Sequence, residues 1–268
     1  MTDLADKPVV RTERRGSSLW IWIDREERRN AINKQVIAGV ATAIESTRDD
    51  PAIRAIVLTG AGRKAFCAGA DLAGGAATFT LGLDEPMTDF GKLARFTREL
   101  GVPVVGRING DCVAGGMGLM GLCDLVVVAN HARFGLPEAK VGVFPMQVLV
   151  FLRAMIGARH INELCLTGEL IDAARAREIG IANYVVPYDE LDARVEALTA
   201  KLAEMSPTAL RRGKYAIAAM ERMAFPEALA FAETQIAVTT LTRDATEGMA
   251  AFNERRKPNW NRKTSDVK

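Results

Sequence analysis

Residues 107–145 read RINGDCVAGGMGLMGLCDLVVVANHARFGLPEAKVGVFP, and this stretch decides the fold. It opens with a short apolar run that ends in the turn pair Asn109-Gly110, and small residues follow at 113–118. The apolar run Leu125–Ala129 predicts a buried strand, and a single carboxylate, Glu138, stands beyond it. We therefore predict a strand, a glycine-rich turn that starts a helix, and a second strand.

The glycines of this stretch have two interpretations. If a helix begins at Gly115-Gly116, its first N–H groups lack intrahelical partners and offer a site for an oxygen that becomes negative. Alternatively, Gly115, Gly116 and Gly118 let a helix pack closely against a sheet. Glycine clusters by themselves do not decide between the two.

The composition is that of a soluble globular protein. The chain has 268 residues, 49% of them hydrophobic and 25% charged, so we expect one large domain or one domain with a helical appendage. A net charge of +2 gives no support for a nucleic-acid or membrane-surface partner. The four cysteines and two histidines lack metal-ligand spacing. We predict no metal site, no membrane span and a cytoplasmic location with reduced thiols.

The N-terminal part alternates strands and helix. Val9–Arg15 and Leu19–Ile23 are typical of two β segments, and the second is apolar on both faces. Ala31–Asp49 has the apolar spacing of an amphipathic helix, and Ile53–Thr59 predicts a buried strand. The order up to this point is ββαβ.

A second small-residue turn, 65–72, follows that buried strand. After it, we interpret Ala73–Pro86 as a mobile loop near a ligand and Met87–Leu100 as a helix. Two turns with exposed backbone, each after a β segment, predict two amide groups converging on one atom. That is the usual construction of an oxyanion hole.

The C-terminal third is predicted to be helical apart from a short strand at 180–187. Several helices carry more apolar surface than a small domain needs, which indicates oligomer contacts. The predicted helices are Met146–Ile156, His160–Thr167, Ile171–Ile179 with Asp172 as N-cap, Asp189–Met205, Pro207–Met223, Pro226–Thr242 and Glu247–Arg256.

Four blocks, in order, resemble the enoyl-CoA hydratase/isomerase family, the crotonase superfamily. Residues 25–33, REERRNAIN, are similar to the family's RPxxxNALN, with Glu26 in place of the proline. Residues 66–72, FCAGADL, match FxAGADL, and 109–116, NGDCVAGG, are similar to NGxxxGGG. Residues 134–142, FGLPEAKVG, match FGxPExxxG. The likeness extends from about Val9 to Trp260.

The resemblance implies an α/β fold of the crotonase (ClpP-like) type. This is a superhelix of repeated ββα units with a helical C-terminal trimerisation region. On this basis we expect a core with an acyl-CoA site over residues 1–200 and a C-terminal helical oligomerisation region over residues 201–268. A homotrimer or a dimer of trimers is the implied assembly.

The resemblance also implies an acyl-CoA thioester as substrate. The backbone N–H groups of Ala70 and Gly115 would bind the thioester oxygen, and Glu138 would be the acid or base. Coenzyme A is then part of the substrate, and no separate cofactor is expected. The residues implied to contact it are Arg28, Ala31, Ala68, Asp71 and Leu72, with Phe252 and Arg255 reaching it from a neighbouring subunit.

The sequence departs from the family at one position of consequence. The family's hydratases use two carboxylates, and the position of the second falls on Gly118. Either double-bond isomerisation or water addition with Glu138 alone remains open, as does a CoA-thioester-binding or assembly subunit with little turnover. Asp84, Glu85 and Asp89 are candidates to supply a second carboxylate. An apolar acyl pocket is predicted from Phe144, Met146, Val148 and Phe151.

Overall fold

The structure is a computed structural model, and it describes residues 8–79 and 84–260. Its strands are β1 (Val10–Arg15), β2 (Ser18–Ile23), β3 (Ala55–Gly60), β4 (Ala65–Cys67), β5 (Val104–Ile108), β6 (Asp111–Val113), β7 (Leu125–Ala129), β8 (Arg133–Gly135), β9 (Ile171–Asp172) and β10 (Tyr184–Val186). Its helices are α1 (Lys34–Glu45), α2 (Asp89–Glu99), α3 (Gly115–Met120), α4 (Met146–Met155), α5 (Ala158–Thr167), α6 (Ala173–Glu178), α7 (Leu191–Glu204), α8 (Pro207–Met220), α9 (Phe225–Thr240) and α10 (Arg243–Asn253).

Within the described ranges, the strands form a larger and a smaller sheet. The larger sheet has the order β1-β2-β3-β5-β7-β10, and the smaller has the order β4-β6-β8-β9. One unit occurs three times, as β3–β4, β5–β6 and β7–β8. In each unit a strand of the larger sheet is followed by a tight turn and then by a short strand of the smaller sheet. This recurrence confirms the predicted α/β architecture of repeated ββα units.

The larger sheet is covered on both faces, as the apolar β2 predicted. On one face Trp20 and Trp22 pack with residues of α7 such as Leu191 and Val195. On the other face Ile21 belongs to a cluster that includes residues of α1. These side chains are almost completely buried, so both faces of β2 contribute apolar burial to the free energy of folding.

Several element boundaries differ from the sequence prediction. Ile171 and Asp172, predicted as the start of a helix, form β9, and α6 begins at Ala173 with Asp172 as its N-cap, as predicted. The helix expected from Ala31 begins at Lys34, because the Asn33 side chain accepts a hydrogen bond from the Val36 N–H and caps it. The helix expected from residue 247 begins at 243, where the Thr242 side chain caps it. The predicted loop 73–86 contains 3-10 turns over Leu72–Phe79, and residues 80–83 lie outside the described part.

The C-terminal helices α8, α9 and α10 pack on one another, and α8 also packs on α2. Ser206 caps α8, whose first residue is Pro207, a residue well suited to that position. In the described part of the chain, no helix has both the length and the apolarity to span a bilayer.

Candidate active site

Three turns meet at one edge of the smaller sheet. Strands β4, β6 and β8 are parallel neighbours there. Ala70, Gly115 and Glu138 each follow the end of one of these strands by two or three residues. The carboxyl ends of neighbouring parallel strands lie at the same edge, so the fold brings the three predicted catalytic positions together.

The two predicted donors are adjacent. A β carbon built on Gly115 would lie 3.5 Å from the Ala70 nitrogen. Ala70 and Ile32 form an isolated parallel β-bridge, in which the Ile32 N–H donates to the Gly69 carbonyl and the Asp71 N–H donates to the Ile32 carbonyl. Gly115 is the first residue of α3. Neither the Ala70 nor the Gly115 N–H donates to a backbone carbonyl within residues 8–79 and 84–260. Two free amides side by side, one of them at a helix start, are an arrangement that can bind an oxyanion.

The geometry is compatible with both interpretations of the glycine cluster, at different positions. A β carbon on Gly116 would lie 2.3 Å from the Cys67 carbonyl oxygen, so this glycine is required for α3 to pack on the end of β4. Gly115 instead starts the helix with an unbonded amide. Ala114 connects β6 to Gly115, the first residue of α3. It has φ 52° and ψ −129°, an unusual conformation for a residue with a side chain.

Two buried asparagines hold the turns in place. The Asn30 side-chain amide donates to the Ala61 and Ala65 carbonyls at 3.0 and 2.8 Å. The Asn109 amide donates to the Gly62 and Ala65 carbonyls at 2.9 and 3.0 Å. Both side chains therefore bind the same carbonyl, that of Ala65, at the start of β4. This shared acceptor ties the loop before α1 to the turn that leads to α3.

An ion pair joins the loop before α1 to the turn that carries Ala70. The Arg25 guanidinium donates to an Asp71 carboxylate oxygen at 2.9 Å and to the Ala31 carbonyl at 2.6 Å. The two side chains are only 12% and 19% exposed. The hydrogen bond from Arg25 is the main cause that lowers the pKa of the Asp71 carboxyl. Sequence reasoning gave Arg25 no role, although it begins one of the four quoted blocks.

The five residues predicted to contact the CoA from the same subunit lie on two segments joined by the Ile32–Ala70 bridge. Arg28 is exposed in the 3-10 turn Glu26–Arg28, and Leu72 is 49% exposed. Ala31, Ala68 and Asp71 are half-buried between them. The structure therefore brings this predicted set together on one rim of the site.

The other two predicted contacts lie elsewhere in the subunit. Phe252 is 83% exposed near the end of α10, and Arg255 follows that helix and is also exposed. Helix α10 packs on α8 and α9. A contact with the CoA of a neighbouring subunit stays a prediction.

Glu138 lies in the 3-10 turn Pro137–Val141 that follows β8. Its Oε2 is buried and has no hydrogen-bond partner among the described residues. Burial raises the pKa of this carboxyl. A hydrogen bond from the backbone N–H of Glu138 itself lowers that pKa, but by less. The neighbouring Cys165 thiol has its pKa raised to about 11, by burial and then by the Glu138 charge. A carboxyl in such surroundings is suited to accept and return a proton.

Apolar side chains cover Gly118, the position at which the resemblance implies a second carboxylate in the family's hydratases. A β carbon on Gly118 would lie 3.0 Å from Phe90 Cζ and 3.3 Å from Val148 Cγ2. No other charged group of the described residues shifts the pKa of Glu138. Phe90 was missed in the sequence, because it lies 28 positions before Gly118 and nothing local indicates the contact.

The three candidates for a replacement carboxylate do not supply one. The Glu85 carboxylate accepts a hydrogen bond from Lys92 at 2.7 Å, and Asp89 lies 4.0 Å from the same amine. Both side chains are 60% exposed, and Asp84 is exposed as well. These residues face solvent at the start of α2.

Comparison with known proteins gives a consistent result. The family model for enoyl-CoA hydratase/isomerase matches residues 13–263. A putative enoyl-CoA hydratase of Thermus thermophilus is 35% identical over 243 residues, which cover 90% of this chain and 96% of that protein. A probable enoyl-CoA hydratase of Mycobacterium tuberculosis, echA8, is 36% identical over 246 residues, 90% of this chain and 93% of that protein.

Solved structures agree with this result. The crystal structure of an enoyl-CoA hydratase of Mycobacterium smegmatis has a TM-score of 0.87 at 29% identity, covering 96% of this chain and all of that one. That of an enoyl-CoA hydratase of Mycobacterium tuberculosis H37Rv has a TM-score of 0.84 at 32% identity, covering 95% and 99%. Both likenesses cover nearly the whole length of this chain. The chain therefore belongs to the enoyl-CoA hydratase/isomerase family.

Proposed function

We propose that this enzyme moves the double bond of an enoyl-CoA thioester, with Glu138 as the only acid/base. The Ala70 and Gly115 N–H groups bind the thioester oxygen. The rim formed by Arg28, Ala31, Ala68, Asp71 and Leu72 holds the CoA. No cofactor beyond the CoA of the substrate is needed.

The reaction begins with removal of a proton. Glu138 takes a proton from the α carbon of a 3-enoyl thioester, and the released electron pair forms a dienolate whose charge rests on the thioester oxygen. The two amide donors stabilise that charge as it develops, which is where donors of this kind lower a barrier. Glu138 then returns the proton to the γ carbon, the carbonyl re-forms, and the product is the conjugated 2-enoyl thioester.

The buried, unpartnered Oε2 of Glu138 carries this proposal. A carboxylate oxygen without a protein partner is free to accept a substrate proton, and the raised pKa makes it a stronger base than an exposed glutamate. Apolar packing on Gly118 leaves this carboxylate to act alone. A single group that carries a proton between two carbons suffices for isomerisation.

Water addition is the second candidate, and the names of the relatives favour it. A crotonyl-CoA hydratase of Syntrophomonas wolfei is 30% identical over 246 residues, and the relatives named above are called hydratases. Gly118 has no side chain that could hold a water molecule. In this chain Glu138 and some other group would have to hold it. A CoA-thioester-binding subunit with little turnover is the alternative without chemistry.

Mass spectrometry in D₂O separates these functions. The purified protein is incubated separately with a 2-enoyl-CoA and a 3-enoyl-CoA, beside Glu138→Gln and a matched control, Glu163→Gln, whose side chain is 56% exposed. We expect deuterium uptake and double-bond migration without gain of water. Glu138→Gln should reduce the rate by about 10²–10⁴-fold, while Glu163→Gln should not.

Each other outcome has a definite meaning. Gain of water that depends on Glu138 would establish hydration and refute isomerisation as the main reaction. CoA esters that bind by calorimetry but undergo neither change would support the binding subunit. Equal loss of rate in both glutamine variants would refute the role assigned to Glu138.

We also propose that the protein is a homotrimer or a dimer of trimers in the cytoplasm. Large apolar side chains are exposed on α8 and α9, among them Ile217 at 65%, Phe225 at 78% and Ile236 at 63%. The free state of all four cysteines agrees with a reducing compartment. Light scattering should give a mass three or six times that of the 29.0 kDa chain, and a monomer at micromolar concentration would refute this assembly.

A further inference from the structure

We propose that Arg25 is a positioning residue for the oxyanion site, and that the Asp71 carboxylate works with it instead of contacting the CoA. Together they hold the turn 68–71 in the shape that directs the Ala70 N–H at the thioester oxygen. The inference rests on the proposed function, in which that N–H is one of two donors. It adds a residue on which the rate depends although it does not touch the substrate.

The turn 68–71 is bonded along its length to the segment 29–32. Three backbone hydrogen bonds join the two, from the Ala68 N–H to the Arg29 carbonyl at 3.0 Å, from the Ile32 N–H to the Gly69 carbonyl at 2.8 Å and from the Asp71 N–H to the Ile32 carbonyl at 2.8 Å. The Gly69 N–H donates to the Cys67 Sγ at 3.4 Å. The N–H groups on both sides of Ala70 are therefore engaged, and their bonds fix the direction of the N–H between them.

Arg25 ties the same two segments together with its side chain. Its Nη1 donates to the Ala31 carbonyl at 2.6 Å, and its Nη2 donates to the Asp71 Oδ2 at 2.9 Å. Ala31 directly precedes Ile32, and Asp71 directly follows Ala70, so one guanidinium bonds both strands of the bridge beside the donor amide. A planar group with several fixed N–H directions suits such a two-point contact better than the single ammonium of a lysine.

The guanidinium stands on a fixed part of the backbone. The Arg25 N–H donates to the Asn30 side-chain oxygen at 3.0 Å, and the Asn30 N–H donates to the Arg25 carbonyl at 2.9 Å. Asn30 is only 1% exposed, and its side chain also bonds the carbonyls at both ends of the turn between β3 and β4. Arg25 is therefore anchored before its side chain reaches the site.

Both oxygens of the Asp71 carboxylate are engaged within the protein. Oδ2 accepts from Arg25, and Oδ1 accepts from the Ala73 N–H at 3.2 Å. These two hydrogen bonds, that of Arg25 first, lower the pKa of the carboxyl and keep it charged. A charged carboxylate repels the phosphate groups of CoA. Asp71 stays part of the rim, but its carboxylate is committed to holding the turn.

The geometry of the donor decides its effect on the rate. An amide stabilises an oxyanion only from about 2.7–3.1 Å, and loss of one donor lowers kcat by about 10²–10³-fold. Truncation of Arg25 leaves the Ala70 amide in place but loosens its support, so we expect a smaller decrease in kcat, about 10–100-fold. The KM should change by less than about threefold, because the surface that binds CoA is kept.

The test measures kcat and KM for Arg25→Met, Arg25→Lys and Asp71→Asn. Isomerisation and hydration both pass through the thioester enolate, so the assay follows whichever of them the wild-type protein catalyses. Arg25→Met should lower kcat as above, and Arg25→Lys should recover part of the loss. Asp71→Asn should lower kcat as well, with the KM nearly kept. The double variant of Arg25→Met and Asp71→Asn should fall little below Arg25→Met, because the two side chains act as one unit.

Lys214→Met is the matched control. The Lys214 ammonium also bonds one carboxylate and one backbone carbonyl, those of Asp124 at 2.6 Å and Val102 at 3.1 Å, and the side chain is 14% exposed. This contact joins α8 to the larger sheet and takes no part in the site. Its loss should lower the melting temperature and leave kcat and KM within about twofold of wild type.

A second measurement needs no turnover. Hexanoyl-CoA with an isotope-labelled thioester carbonyl is bound to each protein, and infrared difference spectra give its C=O stretching frequency. Hydrogen bonds to the oxygen lower this frequency, so the wild-type protein should shift it downwards from its value in water-free solvent. Arg25→Met should lose part of that shift, and Lys214→Met should retain all of it. Thermal unfolding shows which variants are folded, and if Arg25→Met is not, Arg25→Lys and Asp71→Asn carry both measurements.

Unchanged kcat and an unchanged carbonyl frequency in folded Arg25→Met would overturn the positioning role. An equal loss of kcat in Lys214→Met would also overturn it, since that loss would follow from stability alone. A raised KM with unchanged kcat in Asp71→Asn would return the carboxylate to the CoA. Wild-type protein that binds hexanoyl-CoA without turnover would refute the proposed function only, because the infrared shift still decides on Arg25. Wild-type protein that does not bind it would overturn both.

Discussion

Ala114 has a backbone conformation that glycine adopts far more readily, and its replacement by glycine should stabilise the protein. Its φ of 52° and ψ of −129° correspond to the first central position of a type II′ turn, where glycine predominates. The family pattern NGxxxGGG has glycine at this place. Ala114→Gly therefore restores the expected residue at the turn that orients the Gly115 amide.

Three contributions set the size of the effect. Relief of backbone strain should stabilise by about 1–3 kcal/mol. Greater freedom of glycine in the unfolded chain should cost about 0.4–1 kcal/mol. Loss of a half-buried methyl should cost about 0.4 kcal/mol more. The net expectation is stabilisation by about 1 kcal/mol, between limits of about −0.4 and +2 kcal/mol.

Urea unfolding at fixed protein concentration measures the difference. Ala41→Gly is the control, because Ala41 is half-buried inside α1 and its backbone carries no such strain. That substitution should destabilise by about 1 kcal/mol. If Ala114→Gly destabilises as much as Ala41→Gly, the positive-φ conformation stores no strain and the reasoning is refuted. Catalytic rate should be retained in Ala114→Gly, because the turn keeps its shape.

Three further predictions concern the surroundings of the site. Arg25→Met should lower the free energy of unfolding by about 1–3 kcal/mol, because it removes one partner of a largely buried ion pair. Arg25→Lys keeps the positive charge and should recover part of that loss, and equal losses in the two variants would contradict a contribution of the ion pair with Asp71. The pKa of Asp71 is lowered from 3.8, so this stabilisation is present at neutral pH and is lost as the pH falls through that lowered value. Burial raises the pKa of Glu138 from 4.5, so its charged form destabilises the fold; Glu138→Gln should be more stable than wild type at about pH 8, with a difference that shrinks towards pH 4.5, and a pH-independent difference in melting temperature would argue against this cause. Burial raises the pKa of the Cys67 thiol to about 12 and that of Cys165 to about 11, so neither should react with a thiol reagent before unfolding, and rapid labelling of the native protein, counted by mass spectrometry, would show otherwise.

The sequence predicted those parts of the site that depend on local pattern. The apolar runs identified β2, β3 and β7, and the small-residue turns after two strands indicated where free amides would converge. Very short strands such as β6 and β8 escaped prediction, because three residues are too few to show a periodicity. Their positions follow from pairing with strands far away in the chain.

Long-range side-chain contacts were beyond the reach of the sequence for the same reason. Nothing near Gly118 indicates that Phe90 and Val148, from two other helices, cover it. Nothing in residues 24–30, where the five side chains besides Arg25 and Asn30 are all charged, indicates that Arg25 in particular would bind Asp71, 46 positions later. Asp84, Glu85 and Asp89 were equally plausible partners for the site until the geometry placed them at the surface. The choice among similar side chains is made by tertiary packing.

The buried pair Asn109-Gly110 also bears on the chemical lifetime of the protein. Asn-Gly sequences deamidate readily when flexible, because the amide nitrogen of the glycine attacks the asparagine side chain. Glycine is obligatory here, since a β carbon at 110 would lie 2.5 Å from the Arg63 carbonyl oxygen. The side chain of Asn109, however, is fully buried and accepts from the Gly60 N–H while its own amide donates to two carbonyls. The rate of ageing at this position is therefore set by how often the surrounding turns unfold, and conditions that suppress local opening should preserve the intact asparagine.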